Sequence, residues 1–576
     1  MKIQPLIIKE SSYPSLYYRG GSYDGGSIIL NEGERLSFDT YFGSFSYTKY
    51  RDYTTLTSID FCGRISGTAK VMLCSFDGKD ETVIAETYAD GDFAVSASFN
   101  ELPERAILYP VLEARTSVRF IQGGYFSNAE QTHVSFAIAI CTYKREEYLT
   151  RNLALLEREN IPYIDRIVVV DNGNTLDRAK IETEKIKLVE NPNYGGSAGF
   201  TRGIIEASKG EYTHIILMDD DIEIFPEAID RMTVFASVLK EECRNAHFSA
   251  AMLKASKPYI QHEKGALWNG SHIESLNSDL DVRERDALIL NLDDGPIRYG
   301  AWWCFCLPVS DVREYGLPLP FFIKFDDVEY GMRCCSKAPI ITMSGMAVSH
   351  ADFDGKYNMH LEYYTVRNQL IMLAVHKMQL RFGCLLRLMK VTAKHLFLYR
   401  YDIQPILLRA FDDFLRGADF IMNENAEELN RSVISMTPKG LKLTSLPEWD
   451  NSKKENYTRK KTGILRVLLG IITFGGHLIP SAFMKKEVLY APLAKVKDFD
   501  CFMHRTTVQY QMLGDNGYVF KKHSGKFFVC LLRCIKMAFK ILFRYGKAAR
   551  SYRKNRELLM SERFWREYLD IGNTKE

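Results

Sequence analysis

Through residues 1–130 apolar and polar positions alternate in short runs such as AKVMLCSF, FAVSASF and SVRFIQGGYF, with turn-forming stretches such as DGKD and ADGD between them. A period of two turns one face of a strand toward a core and the other toward water, so this stretch predicts an antiparallel β-sandwich of jelly-roll-like kind. At Val134 the pattern changes. VSFAIAI is a nearly unbroken apolar run, and CTYKREEYLTRNLALLERE after it has apolar residues at helical spacing. RIVVVDNGN, KIKLVENPNYGGSAGFTRGIIEASK and THIILMDDD repeat the theme. Apolar strands alternating with helical stretches predict βαβ units and a parallel sheet. From about residue 360 the periodicity is helical, broken over 437–462 by proline- and lysine-containing segments. The expected organisation is a β-sandwich at 1–130, an α/β domain at 131–375 and a mostly helical region at 376–576.

In a parallel sheet, ligands bind beyond the carboxyl ends of the strands. Here those ends carry Thr142 to Arg145, Asp171 and Asn172, Asn193 to Gly199, and Asp219 to Asp221. The acidic triplet is the most demanding of these, because three adjacent like charges repel unless a cation lies among them. Carboxylate oxygens suit Mg²⁺ or Mn²⁺, and alternate residues, Asp219 and Asp221, can aim at one ion. The plainer reading is a solvated turn with Asp221 capping the next helix. NPNYGGSAGFTRG lets backbone approach a ligand and points a helix N-terminus at an anion, although it is neither a Walker loop nor a GxGxxG motif and reads equally well as a tight turn.

Three further places carry candidate chemistry. Trp302 and Trp303 are expected in a strand, where neighbours face opposite ways; one would be core and the other would line a sugar-stacking cleft. Asp326 and Asp327 stand between an aromatic run and a helix start. A carboxylate against apolar walls gains proton affinity and suits a general base, while a helix N-cap supported by Glu329 is the simpler alternative. His350 ends the run APIITMSGMAVSH and is either a hydrogen-bonding strand end or a ligand for Mn²⁺.

Size and charge refine the picture. The chain has 576 residues, more than one core accommodates, and its 46% hydrophobic and 26% charged residues are globular values. A net charge of +3 argues for no nucleic-acid partner, but twelve of the cations lie in 521–556, which has no acid, and the other 540 residues sum to −9. The stretch 526–556 combines cations with apolar residues at helical intervals, which predicts a membrane-surface element or a helix packed on the protein or at a homo-oligomer interface. No apolar run reaches the ~18 residues needed to span a bilayer, and the N-terminus lacks the apolar core of a signal peptide. Twelve cysteines without a repeating spacing fit a reduced interior. A protein at the cytoplasmic face of a membrane is the expectation.

The order strand-Thr-x-x-Arg, strand-Asp-Asn, Asn-x-x-Gly-Gly-Ser, Asp-Asp-Asp, Trp-Trp, Phe-Asp-Asp-x-x-Tyr-Gly, His resembles the inverting nucleotide-sugar glycosyltransferases of family 2, and within them the polymerising galactofuranosyltransferases of mycobacterial cell-wall galactan type. FIKFDDVEYGMR and NYGGSAGFTRG carry most of the likeness, which is strong over 134–370 and architectural outside it. The resemblance implies a GT-A (Rossmann-like) α/β core between an N-terminal β-sandwich and a helical C-terminal part, with transfer of galactofuranose from UDP-galactofuranose to a growing, lipid-linked bacterial cell-surface glycan. It implies that Thr142, Arg145, Asp171, Asn193, Gly196 and Asp220 serve the donor, that Asp219, Asp221 and His350 hold Mn²⁺ or Mg²⁺, that Asp327 is the base, and that Asp326, Trp302 and Trp303 bind the acceptor. A rhamnosyltransferase using dTDP-rhamnose is the alternative on the same scaffold, and a non-catalytic glycan-binding protein the remote one. The Gln-x-x-Arg-Trp box and membrane spans of processive synthases are missing from the sequence.

Overall fold

A computed structural model describes residues 1–353, 357–446, 449–450, 452–455 and 463–571; part of the broken stretch 437–462 lies outside them. The chain forms two compact units, the first comprising Met1–Asn193, Gly199–Pro318 and Asp327–Ala351, the second Tyr194–Ala198, Leu319–Asp326 and Asp352–Glu576.

In the first unit, the alternating segments pair as two antiparallel sheets. One runs Ser22–Asp24, Ser27–Leu30, Val118–Phe126, Ser58–Ser66, Asp92–Ser98, with Lys2–Pro5 also on Val118–Phe126; the other runs Arg35–Ser37, Ile107–Ala114, Ala69–Phe76, Glu81–Ala89. Phe93, Val95 and Ala97 point inward while the residues between them are exposed, as a period of two requires.

The unbroken apolar runs form a sheet covered on both faces. Its elements in chain order are β1 (Phe136–Thr142), α1 (Glu146–Glu159), β2 (Ile164–Asp171), β3 (Ile186–Glu190), α2 (Gly195–Ala207), β4 (His214–Asp219), α3 (Pro226–Ser237) and β5 (Cys304–Pro308). Spatially the order is β3-β2-β1-β4-β5, continued by His247–Ser249 and Ile340–Ile341. The first four strands are parallel and β5 is antiparallel to β4. Strand β5 begins at Cys304, so Trp302 and Trp303 form the turn before it rather than alternating along a strand. Helix α4 (Asp326–Cys334) and strand β6 (Ala347–His350) follow. β6 belongs to a second sheet, ordered Glu223–Ile224, β6, Ala251–Lys254, Lys257–Glu263, Leu280–Asp281.

The approach to β6 is fixed by a buried cation. Arg231 of α3 donates to the carbonyls of Ser344 and, at 3.0 Å, of Phe42 in the sandwich segment. Gly345 has φ +79°, and a Cβ there would come within 1.9 Å of the Arg231 guanidinium.

The second unit holds α5 (Leu361–Val375), α6 (Arg381–Phe397), α7 (Ile464–Ile472), α8 (Ser524–Lys554) and α9 (Glu562–Tyr568). It is not purely helical. Leu441–Lys442, Asn516–Lys521, Thr506–Tyr510 and Leu489–Pro492 form a four-stranded sheet, whose strands of two to six residues are too short for a readable alternation. The basic stretch is the single 31-residue helix α8, and it is no appendage. Phe527, Met537, Ile541, Tyr545 and Tyr552 are buried, Tyr552 stacks on Phe414, and the Cys530 carbonyl accepts from Gln404 at 2.6 Å.

Gly345→Ala places an L residue in left-handed backbone and a methyl group against Arg231; the two effects together predict a loss of about 2–4 kcal/mol, to be read from urea unfolding against the parent protein.

Candidate functional site

β4 is the middle strand of the seven-stranded sheet, and at its end the chain turns sharply through Asp220 and Asp221. Side chains of α1 and of the turn preceding it hold that turn. Asn152 donates to the carbonyls of Asp220 (3.1 Å) and Ile222 (2.9 Å). Thr142 donates its hydroxyl to Asp220 at 2.7 Å, and Arg145 pairs with Asp220 at 3.1 Å and with Asp221. Asp220 is thus buried and held by the Thr142 hydroxyl and by a guanidinium that it shares with Asp221.

Asp219, Asp221 and His350 converge. Each offers one ligand atom, and these atoms all lie within 4.8 Å of one another. His350 arrives from β6, beside Glu223–Ile224 just past the triplet; Ser349 pairs with Glu223. Its Nδ1 lies 2.6 Å from the Ala351 carbonyl, which only accepts, so Nδ1 carries a proton; Nε2 faces Asp221 at 3.4 Å, where it donates when the ring is protonated and has a lone pair for a cation when it is neutral. Burial first, then the charge of Asp221, pushes the Asp219 carboxyl up to about 8. Burial opposes the imidazolium of His350, but Asp221 and Asp219 outweigh it and raise its proton affinity. Two carboxylates and an imidazole at one point fit Mn²⁺ or Mg²⁺.

A second cluster forms around Asp327, the second residue of α4. Glu263 and Tyr299 are its electrostatic neighbours. Burial, with Asp327 adding to it, pushes Glu263 up to about 7 against a hydrogen bond from Ser275. Gly331 of α4 packs so tightly on Tyr299 that a Cβ would lie 2.3 Å from that of Tyr299. Sheet register links the two clusters: Glu263 pairs with Met252 and Met252 with Val348, two residues before His350. With strands ~4.8 Å apart, Glu263 lies roughly 10 Å across the sheet from β6. Glu263 escaped the sequence reading because a lone acid in YIQHEKG has no spacing that marks it.

Both tryptophans are buried between these clusters. The Asp219 amide donates to the Trp303 carbonyl at 3.3 Å, and the Trp303 indole donates to Ala250 at 2.9 Å. Trp302 packs edge-on against Phe200 and against Tyr330 of α4, and its indole N–H has no hydrogen-bond partner among the described residues. Of the remaining residues named from the sequence, Asp171 is buried and its carboxylate accepts from the backbone of Gly173, Thr175 and Leu176 at 2.8–2.9 Å; as placed, it shapes the loop after β2. Asn193 follows β3 and is half-buried. Gly196 and Asp326 belong to the second unit, in the first turns of α2 and α4.

Comparison with known proteins agrees with this arrangement. Residues 137–238, from β1 to the end of α3, match the model of glycosyl transferase family 2. The galactofuranosyltransferase GlfT2 of Mycolicibacterium smegmatis is 26% identical over 496 residues, covering 79% of this chain and 76% of that protein. The galactofuranosyltransferase GlfT2 of Mycobacterium tuberculosis is 26% identical over 441 residues, covering 69% and 68%. A solved mannosyltransferase from Pyrobaculum calidifontis overlaps 54% of this chain and 82% of its own at 10% identity, with a TM-score of 0.29, too slight to bear on the argument. The parallel sheet with its acidic strand end has the GT-A fold and matches glycosyl transferase family 2 over residues 137–238, and the chain is a glycosyltransferase.

Proposed function

We propose that this glycosyltransferase moves galactofuranose from UDP-galactofuranose to a hydroxyl of a growing, lipid-linked bacterial cell-surface glycan, with inversion at the anomeric carbon. The observation that carries the reading is the convergence of Asp219, Asp221 and His350 at the end of β4, on a chain that matches galactofuranosyltransferases over most of its length.

Asp219, Asp221 and His350 would hold Mn²⁺ or Mg²⁺; the bound ion supplies Lewis-acid neutralisation of the departing diphosphate. Arg145, 45% exposed at its side chain, lies beside the same carboxylates and offers a guanidinium to phosphate oxygens. Asp327 takes the proton of the acceptor hydroxyl as that oxygen attacks the anomeric carbon from the face opposite UDP. One bond forms as the other breaks, and UDP carries away the electron pair. Trp302 bounds the acceptor side.

The surface of the second unit supports attachment to a membrane. Helix α8 exposes Phe528, Leu532, Phe539 and Phe543 among Lys536, Arg544 and Lys547, and α7 exposes Ile464, Leu465 and Ile472. Phe474, just past α7, approaches Phe527 at the start of α8. Among the described residues no helix is long and apolar enough to cross a membrane. Apolar side chains ringed by cations suit an anionic lipid interface, which is where a lipid-linked acceptor at the inner face of the cell membrane would be met.

Asp327→Asn should lower kcat by about 10²–10⁴-fold with UDP affinity unchanged; near-parental turnover with a panel of nucleotide sugars and a synthetic galactofuranosyl acceptor would remove the base assignment. Because burial and Asp221 hold a proton on Asp219 well above the usual carboxylate range and His350 also gains proton affinity, a divalent ion must displace protons from both, so Mn²⁺ affinity should rise with pH from 6 to 8, by up to roughly tenfold per unit for each proton displaced, and then level off. Calorimetry in two buffers of different ionisation enthalpy reads the released proton, and a flat profile contradicts the assigned ligands. Replacing Leu532, Phe539 and Phe543 by serine should weaken sedimentation with anionic vesicles by about tenfold or more, with the melting temperature kept; unchanged sedimentation counts against the membrane surface.

A further inference from the structure

Phe322, Lys324 and Phe325 hold left-handed backbone within one short loop, at φ 70°, 70° and 69°. L residues adopt this conformation at a cost and keep it only where their surroundings enforce it. The second unit provides the enforcement. Asn368 of α5, fully buried, fans its amide N–H groups over three carbonyls of the loop: Phe321 at 3.1 Å, Ile323 at 2.9 Å and Lys324 at 2.8 Å. Its neighbour Arg367 donates to the Phe321 carbonyl at 2.9 Å, and the Phe322 ring stacks on Tyr364 with centroids 5.2 Å apart.

The turn Tyr194–Ala198, which precedes and opens α2, leans on the same loop. The Ser197 hydroxyl donates to the Leu319 carbonyl at 2.7 Å, and the Ser197 amide donates to that of Phe322 at 3.3 Å. Gly195 has φ +82°, and a Cβ there would lie 2.0 Å from the Phe322 oxygen. At its other end the loop runs into Asp326, the first residue of α4, and Asp327 is the next residue along the chain. One buried amide therefore ties down a segment that touches the turn opening α2 and leads directly into the candidate base.

We propose that Asn368 is a positioning residue for the transfer reaction: by fixing loop 319–326 it sets the placement of Asp326 and Asp327 at the head of α4. The inference rests on the assignment of Asp327 as the base. It needs donors in place of mere bulk, which makes the test sharp. Asn368→Asp keeps the shape but turns a carboxylate toward three carbonyls.

In the full-length chain, Asn368→Asp should lower kcat about 10²-fold, the loss a ~1 Å misplacement brings, while KM values and UDP affinity stay within about threefold. Adding Lys324→Gly, which adopts left-handed backbone freely, should recover thermal stability lost by Asn368→Asp and leave kcat low. Asn368→Ser, which keeps one donor, should give an intermediate kcat and serves as the test if the aspartate variant does not fold. Transfer by the parent protein together with unchanged kcat in the folded variant overturns the positioning role alone. So does recovery of kcat together with stability on adding Lys324→Gly, since Asn368 would then be a residue of the fold only. Absence of transfer by the parent protein with every donor instead removes the transferase reading on which the inference rests.

Discussion

Mutual repulsion among carboxylates at the end of β4 is the constraint around which this molecule is arranged. Asp219, Asp220 and Asp221 are brought to one place by a strand that the sheet fixes in register. The chain relieves Asp220 internally, through Thr142 and Arg145. For Asp219 and Asp221 it offers the His350 imidazole, whose proton affinity they raise, and a guanidinium shared with Asp220. Burial makes a residual negative charge there unfavourable, and the upward shift of Asp219 expresses that. On the function proposed above, a divalent cation would resolve the conflict better than a proton does, because both acids would share it and it would keep coordination positions for phosphate oxygens.

The site's surroundings can be traced to the same need. His350 reaches the triplet only because β6 pairs with Glu223–Ile224, and β6 is approached through a glycine that clears the buried Arg231. The tryptophan turn connects the acidic strand end to α4 by a backbone hydrogen bond on one side and a ring contact on the other. A small set of rigid pieces thereby fixes where charge can accumulate and where a proton can leave.

Much of this was legible in the sequence, for identifiable reasons. Unbroken apolar runs forecast the buried parallel strands, since such runs have few other stable uses. Asp219, Asp221 and His350 could be named because strand ends are countable, and the resemblance brought in a histidine more than a hundred residues away. The tryptophans were misplaced by a few residues: aromatic neighbours before CFCLP look like a strand, but the ladder with β4 starts only at Cys304. The small sheet of the second unit was invisible, because strands of two to six residues carry no periodicity. Glu263, Tyr299 and Asn368 were equally hidden, since their importance lies in whom they meet across the fold and not in any local pattern.

The second compact unit does not begin where the α/β sequence pattern stops. It takes in Tyr194–Ala198 and Leu319–Asp326, two short pieces from inside the glycosyltransferase segment, and clasps them with α5 and with Tyr568 of α9, whose ring meets Tyr194. The residues from Asp352 onward are consequently part of the frame of that segment in an architectural sense. A chain cut at Ala351 would keep every candidate ligand and the candidate base, yet lose α5 and Tyr568, against which two of its loops are set.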